Sequence, residues 1–360
     1  MSVVRGPVVS EVRHVIAAGT IEQVFRVYAG SVDTLEVAYR VGPIDRGAVP
    51  IGHEVISRFD TDLKSGDTWA SDSNGLELQY RRRNFRHPLG PNQTNYATCS
   101  DPVSCNYFSV NTIASIQDQR SATASPRRRL TVLTDRSEGG SSMATGSLEL
   151  MLHRRLAHGC RWGMCEPNAD AGGKMEAAGI NDVLGAEVII RHWLSVDAVA
   201  LDGSSPSLAR LRARQLNYPP SALFSAAAVA APAGLAALPS AGALPQNVEL
   251  TTFQSLPSGD VVLRLTNMYG AGEHAQLSMP TVVDLCALLG KTFCARISHI
   301  SEMNLAASVL LQDLQRLRWK VAGEAEAPPA PLPAPLTPAS MLVTVKPADT
   351  RTYKISFKAV

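Results

Sequence analysis

The chain is short of charge and of aromatics: of its 360 residues, 18% are Asp, Glu, Lys or Arg and 6% are Phe, Trp or Tyr. Folded domains average about a quarter charged residues. Low charge combined with 45% hydrophobic content therefore excludes a disordered or polyanion-coating chain. Net charge is nearly absent too, +2 from 34 basic and 32 acidic side chains, so no nucleic-acid partner is expected. The opening Met1-Ser2-Val3-Val4-Arg5-Gly6-Pro7 lacks the apolar run of a signal peptide and reads as though the chain begins inside a domain. The longest uncharged stretch, residues 216–248, has the length of a bilayer span but is Ala-rich and broken by Pro219, Pro220, Pro232, Pro239 and Pro245. A loop or linker is expected there, and no membrane span.

Signatures of chemistry are missing as well. Gly290-Lys291-Thr292 ends like a phosphate loop, but Leu285 stands where the first glycine is required. There is no G-x-S-x-G elbow, and Ser141-Ser142 after Gly139-Gly140 reads as a hairpin connection. Among the eight histidines no H-E-x-x-H or H-x-D occurs, and the odd separation of His153 and His158 would put them on opposite faces of a strand. The triplets Arg81-Arg82-Arg83 and Arg127-Arg128-Arg129 lack interleaved aromatics and read as solvated faces. No C-x-x-C occurs; the six cysteines fall into close pairs, Cys99 with Cys105, Cys160 with Cys165, and Cys286 with Cys294. Such pairs are either local disulfides, favoured for the first two, or small buried thiols on neighbouring strands. Asn92-Gln93-Thr94 is the single sequon and sits in a Pro/Asn-rich turn where a glycan could attach.

What is present is period-two alternation, the mark of strands with one face on a core. Leu35, Val37, Tyr39 and Val41 alternate with Glu36, Ala38 and Arg40; Leu148, Leu150 and Leu152 alternate with Glu149, Met151 and His153. Residues 130–133, 188–190, 261–265, 342–345 and 353–357 are further strand candidates, and turn residues such as Gly42-Pro43, Asn74-Gly75 and Ser258-Gly259 stand between them. Helical period is scarce: residues 305–319, with Leu310, Leu311, Leu314 and Leu317 on one face, form either a helix or an irregular loop and strand. No long βαβ alternation appears, which excludes a TIM barrel or doubly wound sheet. The pattern predicts an all-β fold of packed antiparallel sheets: a domain over residues 1–215, an Ala/Pro-rich linker or loop over 216–248, and a smaller β domain over 249–360.

Five blocks become specific in combination. They are Gly42-Pro43-Ile44, Glu54-Val55-Ile56-Ser57-Arg58-Phe59-Asp60-Thr61, Ser71-Asp72-Ser73-Asn74-Gly75, the run from Leu130 through Thr134-Asp135-Arg136-Ser137-Glu138-Gly139-Gly140 to Ser142, and Gly146-Ser147-Leu148-Glu149-Leu150-Met151-Leu152-His153-Arg154-Arg155-Leu156. In this order and at these distances they resemble the C-terminal β-rich half of the class II α-mannosidases, glycoside hydrolase family 38, in particular the lysosomal branch. The resemblance implies a galactose-mutarotase-like supersandwich followed by a smaller C-terminal β-sandwich. It implies an exo-acting, zinc-dependent, retaining hydrolase of terminal α-D-mannose, whose nucleophile, acid/base and zinc ligands belong to an N-terminal α/β barrel and the helical region after it. No catalytic residue and no zinc ligand is then expected in this chain, and the isolated chain is expected to be inactive. The partners implied are α-mannosyl glycans and that barrel, with self-association expected where the barrel's docking face is uncovered. The location implied is lysosomal, vacuolar or extracellular. Where the family has an Asp-Asp-Gly-Arg-Gly turn near the active-site rim, this chain has Gly159-Cys160-Arg161-Trp162-Gly163-Met164-Cys165, making Arg161 the substrate-facing candidate and Cys160 with Cys165 a bridge that could stiffen the loop. The alternative is a noncatalytic glycan-binding or partner-binding sandwich derived from such an enzyme.

Overall fold

The computed structural model describes residues 1–16, 20–30, 34–44, 53–72, 74–85, 101–119, 127–155, 186–199, 208–219, 224, 244–315, 336–337 and 340–358. The chain divides into two units, Met1–Pro219 and Pro220–Val360.

In the first unit, β1 (Ser2–Arg5), β2 (Val9–Ile16), β3 (Ile21–Tyr28) and β4 (Leu35–Val41) run as an antiparallel meander, and β5 (His53–Asp60) leaves it for a second sheet. β6 (Thr68–Asp72) and β7 (Leu78–Arg82) return to the first sheet, β8 (Phe108–Val110) joins the second, and β9 (Ile113–Gln117) and β10 (Arg127–Thr134) the first. β11 (Glu138–Ser141) and β12 (Ser147–Arg155) complete the second sheet before β13 (Val188–Val199) inserts into the middle of the first. The result is a nine-stranded sheet, ordered β1-β2-β3-β4-β13-β10-β9-β6-β7, and a four-stranded sheet, ordered β5-β12-β11-β8.

Alternation does what the sequence predicts. Val37, Tyr39 and Val41 of β4 meet Ile190 of β13 and Leu152 of β12 in one buried cluster. Trp69, Ala114, Ile116, Leu130 and Val132 meet Val110, Leu148 and Leu150 in another, so the core lies between the two sheets. Each such aliphatic side chain contributes about 1.5–3 kcal/mol when fully withdrawn from water. Glycine decides two close approaches. Gly146 has φ +74° and a Cβ there would stand 2.6 Å from the Thr61 carbonyl oxygen. Gly140 is not in a hairpin connection but inside β11, where a Cβ would press to 2.8 Å from Val110.

Helix α1 (Leu208–Asn217) covers part of the opposite face of the nine-stranded sheet, setting Ala209 and Ala213 on Ile113 and Leu133. Its seam of Ala209, Ala213 and Leu216 has helical spacing, but two of the three are alanine, which leaves little hydrophobic signal to read in the sequence. The candidate helix at residues 305–319 resolves the other way. Asn304 Oδ1 accepts from the Ser308 and Val309 N–H groups, Leu310 bridges back to Met303, and Leu311–Asp313 forms a 3-10 turn; residues 316–319 lie outside the described residues.

The second unit contains β14 (Val248–Ser255), β15 (Val261–Asn267), β16 (Thr281–Asp284), α2 (Leu285–Leu289), α3 (Lys291–Ala295), β17 (Ile297–Met303), β18 (Leu342–Val345) and β19 (Thr350–Phe357). Its sheets, β14-β15-β19-β17 and β16-β18, share one core that includes Leu263, Leu265, Leu285, Val345, Tyr353 and Ile355. Asp284 caps α2 by accepting from the Cys286 and Ala287 N–H groups, and a disulfide joins Cys286 to Cys294 across a Cα separation of 5.4 Å. Gly290, with φ +88°, is the joint between α2 and α3, which accounts for Gly290-Lys291-Thr292 as helix punctuation. Every strand pairing named in either unit is antiparallel.

Candidate functional site

Polar side chains gather in four places in the first unit, and each is built by the strands that carry it. On β12, Leu148 and Leu150 point into the core, so Glu149 lies on the other face of the four-stranded sheet. It is 3% exposed and accepts from the Tyr107 hydroxyl at 2.6 Å and from Arg58 Nε and Nη2 at 2.8 and 2.7 Å. The Tyr107 ring rests against Gly139, where a Cβ would come within 3.3 Å of it. Burial, reinforced by its bond to Glu149, pushes the Tyr107 hydroxyl pKa up, and the Glu149 carboxylate raises that of Arg58.

Between the sheets, His192 of β13 reaches Glu138 of β11, with Nε2 3.1 and 3.0 Å from the two carboxylate oxygens. The edge of the ring pair formed with Tyr39 lies 5.2 Å away, and the Tyr39 hydroxyl bonds Ser57 Oγ at 2.6 Å. Burial raises the Tyr39 pKa to about 12 despite that bond. His192 is wholly buried, which makes the pair a brace between sheets and leaves it no access to a substrate. The third cluster is Asp72, also wholly buried. Its Oδ1 accepts from the Asn111, Thr112 and Ile113 N–H groups at 3.1, 2.9 and 2.7 Å, and its Oδ2 from Gly75 at 2.8 Å. That carboxylate ties the turn after β6 to the start of β9.

The fourth is a ladder across β2, β3 and β4: Arg13 to Glu11, Glu11 to Arg26, and Arg26 to Glu36, which also accepts from Tyr28. Arg26 and Arg13 hold the Glu11 pKa below its ordinary value. The other face of the same strands is apolar: Val3 opposes Val12, Val12 opposes Phe25 and Phe25 opposes Val37 of the core. Val3 is 58% exposed and Val27 50%, so this apolar face runs out of the core uncovered by described residues.

In all four clusters each carboxylate is committed to arginine, tyrosine, histidine or backbone N–H groups. Among the described residues no three His, Cys, Asp or Glu side chains converge to hold a metal ion. The Nε2 of His153 pairs with the Ala186 carbonyl at 2.9 Å, and His158 lies outside the described residues.

Arg161, Cys160 and Cys165 lie outside the described residues, as do Asn92 and Cys99; Cys105 is disulfide-bonded. The flanks of the stretch that contains Arg161 are described, and they are tied together. On the leading side, Arg155 is buried and donates from Nη1 to the Ile44 carbonyl at 2.7 Å, just past the cis Gly42–Pro43 bond. On the trailing side, Ala186 receives His153 and packs against Gly42, where its carbonyl leaves no room for a Cβ. Sequence reasoning did not single out Glu149, Tyr107, Arg58, Glu138 or His192. Of these only His192, close behind the apolar Val188–Ile190 run, had a local signal that could have been read.

Comparison with known proteins places these elements. The family model described as glycosyl hydrolases family 38 C-terminal domain matches residues 1–167. Lysosomal alpha-mannosidase from Bos taurus is 35% identical over 368 residues, covering 98% of this chain and 32% of the relative. Lysosomal alpha-mannosidase from Homo sapiens is 35% identical over 367 residues, with the same coverage of each. A probable alpha-mannosidase from Arabidopsis thaliana is 30% identical over 369 residues, 99% of this chain and 32% of the relative. The chain thus spans about a third of the length of the curated relatives it matches. A sandwich whose carboxylates brace strands is thus similar, over its first 167 residues, to the glycosyl hydrolases family 38 C-terminal domain and, almost end to end, to these alpha-mannosidases.

Proposed function

We propose that the chain is the non-barrel part of a zinc-dependent, retaining α-mannosidase that removes terminal α-D-mannose from N-glycan oligosaccharides, and that by itself it turns over no substrate. The observation that carries this reading is the alignment: nearly the whole chain matches lysosomal alpha-mannosidases, yet occupies only 32% of their length. Retention needs two carboxyl groups about 5–5.5 Å apart across the anomeric carbon, and the family's zinc would add an electrophilic contact for the sugar's oxygens. The described residues do not fit that metal, since no ligand set converges among them, so no step of the reaction is drawn through this chain.

The chain's own contribution is mechanical. Its paired sheets form the platform, and the flanks tied by Arg155, His153 and Ala186 present the stretch with Arg161 to the sugar. The exposed apolar face of β1, β2 and β3 supports docking of a catalytic barrel, because apolar strands rarely stay bare in water. The likeness to lysosomal alpha-mannosidases supports residence in the lysosome or an equivalent vacuole; no helix among the described residues is long and apolar enough to cross a membrane.

The test is turnover of an aryl α-mannoside by the purified chain, with and without a chelator, and then with the barrel portion of a family relative added in trans. No turnover alone and zinc-dependent turnover on mixing is the expected result. Chelator-sensitive turnover by the chain alone would overturn the assignment of catalysis to another part of the enzyme.

A further inference from the structure

The face of the nine-stranded sheet turned away from the sandwich core is built in three rows. Nearest α1 the row is apolar, with Leu133, Ile113 and Leu78 in the cluster that α1 covers. The next row is small until its edge: Thr131 opposes Ser115, Ser115 opposes Ala70, and Ala70 opposes Tyr80. The third is polar, with Arg129 opposite Gln117 and Thr68 opposite Arg82. Small side chains make a low floor between taller neighbours, and the surface sinks there into a shallow, open trough lined by Thr68, Ala70, Leu78, Tyr80, Gln117 and Arg129, among others.

The two walls differ in chemistry. Tyr80, on edge strand β7, is 74% exposed and offers an aromatic face. Across the floor, Arg129 donates from Nε and Nη2 to Gln117 Oε1 at 3.1 and 2.9 Å. That bond fixes two planar groups against each other and leaves Gln117 Nε2 and Arg129 Nη1 free to donate elsewhere. Thr68 Oγ1 accepts from Gln119 and donates to the Ser65 carbonyl at 3.5 Å, so the ligand's donors are those of Gln117 and Arg129. Among the described residues no carboxylate lines the trough. The neighbouring cations are neutralised, Arg82 by Asp67 at 2.6 Å and Arg128 by Asp62 at 2.8 Å, and Asp197 of β13 stands opposite Arg129 in register, so the trough carries one positive charge at most. That is too little for a polyanion and suits a neutral ligand rich in acceptor oxygens. A hexose has this character: one face of C–H groups to lie on an aromatic ring, and vicinal hydroxyls for planar donors.

We propose that this trough is a carbohydrate-binding subsite that takes one neutral hexose unit, its C–H face on Tyr80 and its hydroxyls on Gln117 and Arg129. Only the choice of an α-mannoside as probe rests on the function proposed above.

The experiment is saturation-transfer NMR of the 360-residue chain with methyl α-D-mannopyranoside, titrated to obtain an affinity. Saturable millimolar binding is expected, weakened roughly tenfold by Tyr80→Ala and reduced by Gln117→Ala. Phe253→Ala, a 43% exposed aromatic in the other unit, should leave it unchanged. Far-ultraviolet circular dichroism of each variant verifies the fold. Three results would overturn the subsite: no transfer at tens of millimolar sugar, binding that survives both trough variants, or displacement of the mannoside by sulfate, which would mark an anion site. The readout is binding to this chain without hydrolysis, so failure here leaves the proposed enzyme role standing, and failure of the turnover test leaves the subsite standing.

Discussion

The two units manage their apolar surface in opposite ways. The second closes its strands, α2 and α3 round one core, caps α2 with Asp284 and ties the helix pair with Cys286–Cys294. In the first, nine strands face a sheet of four, and no residue of β1 or β2 enters any core cluster. Its surplus strands carry an ion ladder on one face and bare valines on the other. The lesson is that one unit covers its strands with its own residues, whereas the other leaves apolar side chains of its outer strands bare among the described residues.

Each unit should then fail by a different route. The largest effect is expected in the first, from Glu138→Ala. It strips the carboxylate partner from the buried His192 imidazole between the sheets and should cost about 3–5 kcal/mol. Hydrogen exchange resolved by peptide should show the loss in residues 1–219 alone; an equal loss in both units would end the contrast between them.

In the second unit, reducing Cys286–Cys294 should cost about 2–3 kcal/mol by releasing a short closed loop in the unfolded chain. Urea unfolding with and without reductant measures this, and an unchanged midpoint for residues 220–360 would show that the core holds without its staple.

The smallest effect concerns Asp260, whose pKa is held down to about 2 first by Lys354, with Ser356 and Ser258 adding to it. A carboxylate depressed in the folded state stabilises at pH above its unfolded value of about 4 and loses that stabilisation as pH falls toward 2. Acid titration of the second unit should therefore show a small step there that Lys354→Ala removes. A step that persists in the variant would assign it to another group.

Legibility followed signal strength. The strands at Leu35, Val37, Tyr39 and Val41 and at Leu148, Leu150 and Leu152 were readable because alternation over one buried face is a local pattern. Helix α1 was not, since its buried seam is mostly alanine, and the leucines at 305–319 suggested a helix that Asn304 turns into a fold-back. Of the candidate site, Arg161 was visible only through family resemblance. The Glu149, Arg58 and Tyr107 cluster was invisible because its members are 91 and 42 residues apart.

By itself the sequence determined the all-β class and the family resemblance, because period-two patterning and ordered motif blocks are properties of the chain read in line. Tertiary structure alone decided which glutamates are braces, which apolar strands stay bare and where Tyr80, Gln117 and Arg129 meet. Those outcomes depend on register and on insertion of β13 between β4 and β10, contacts between distant residues that no local pattern encodes.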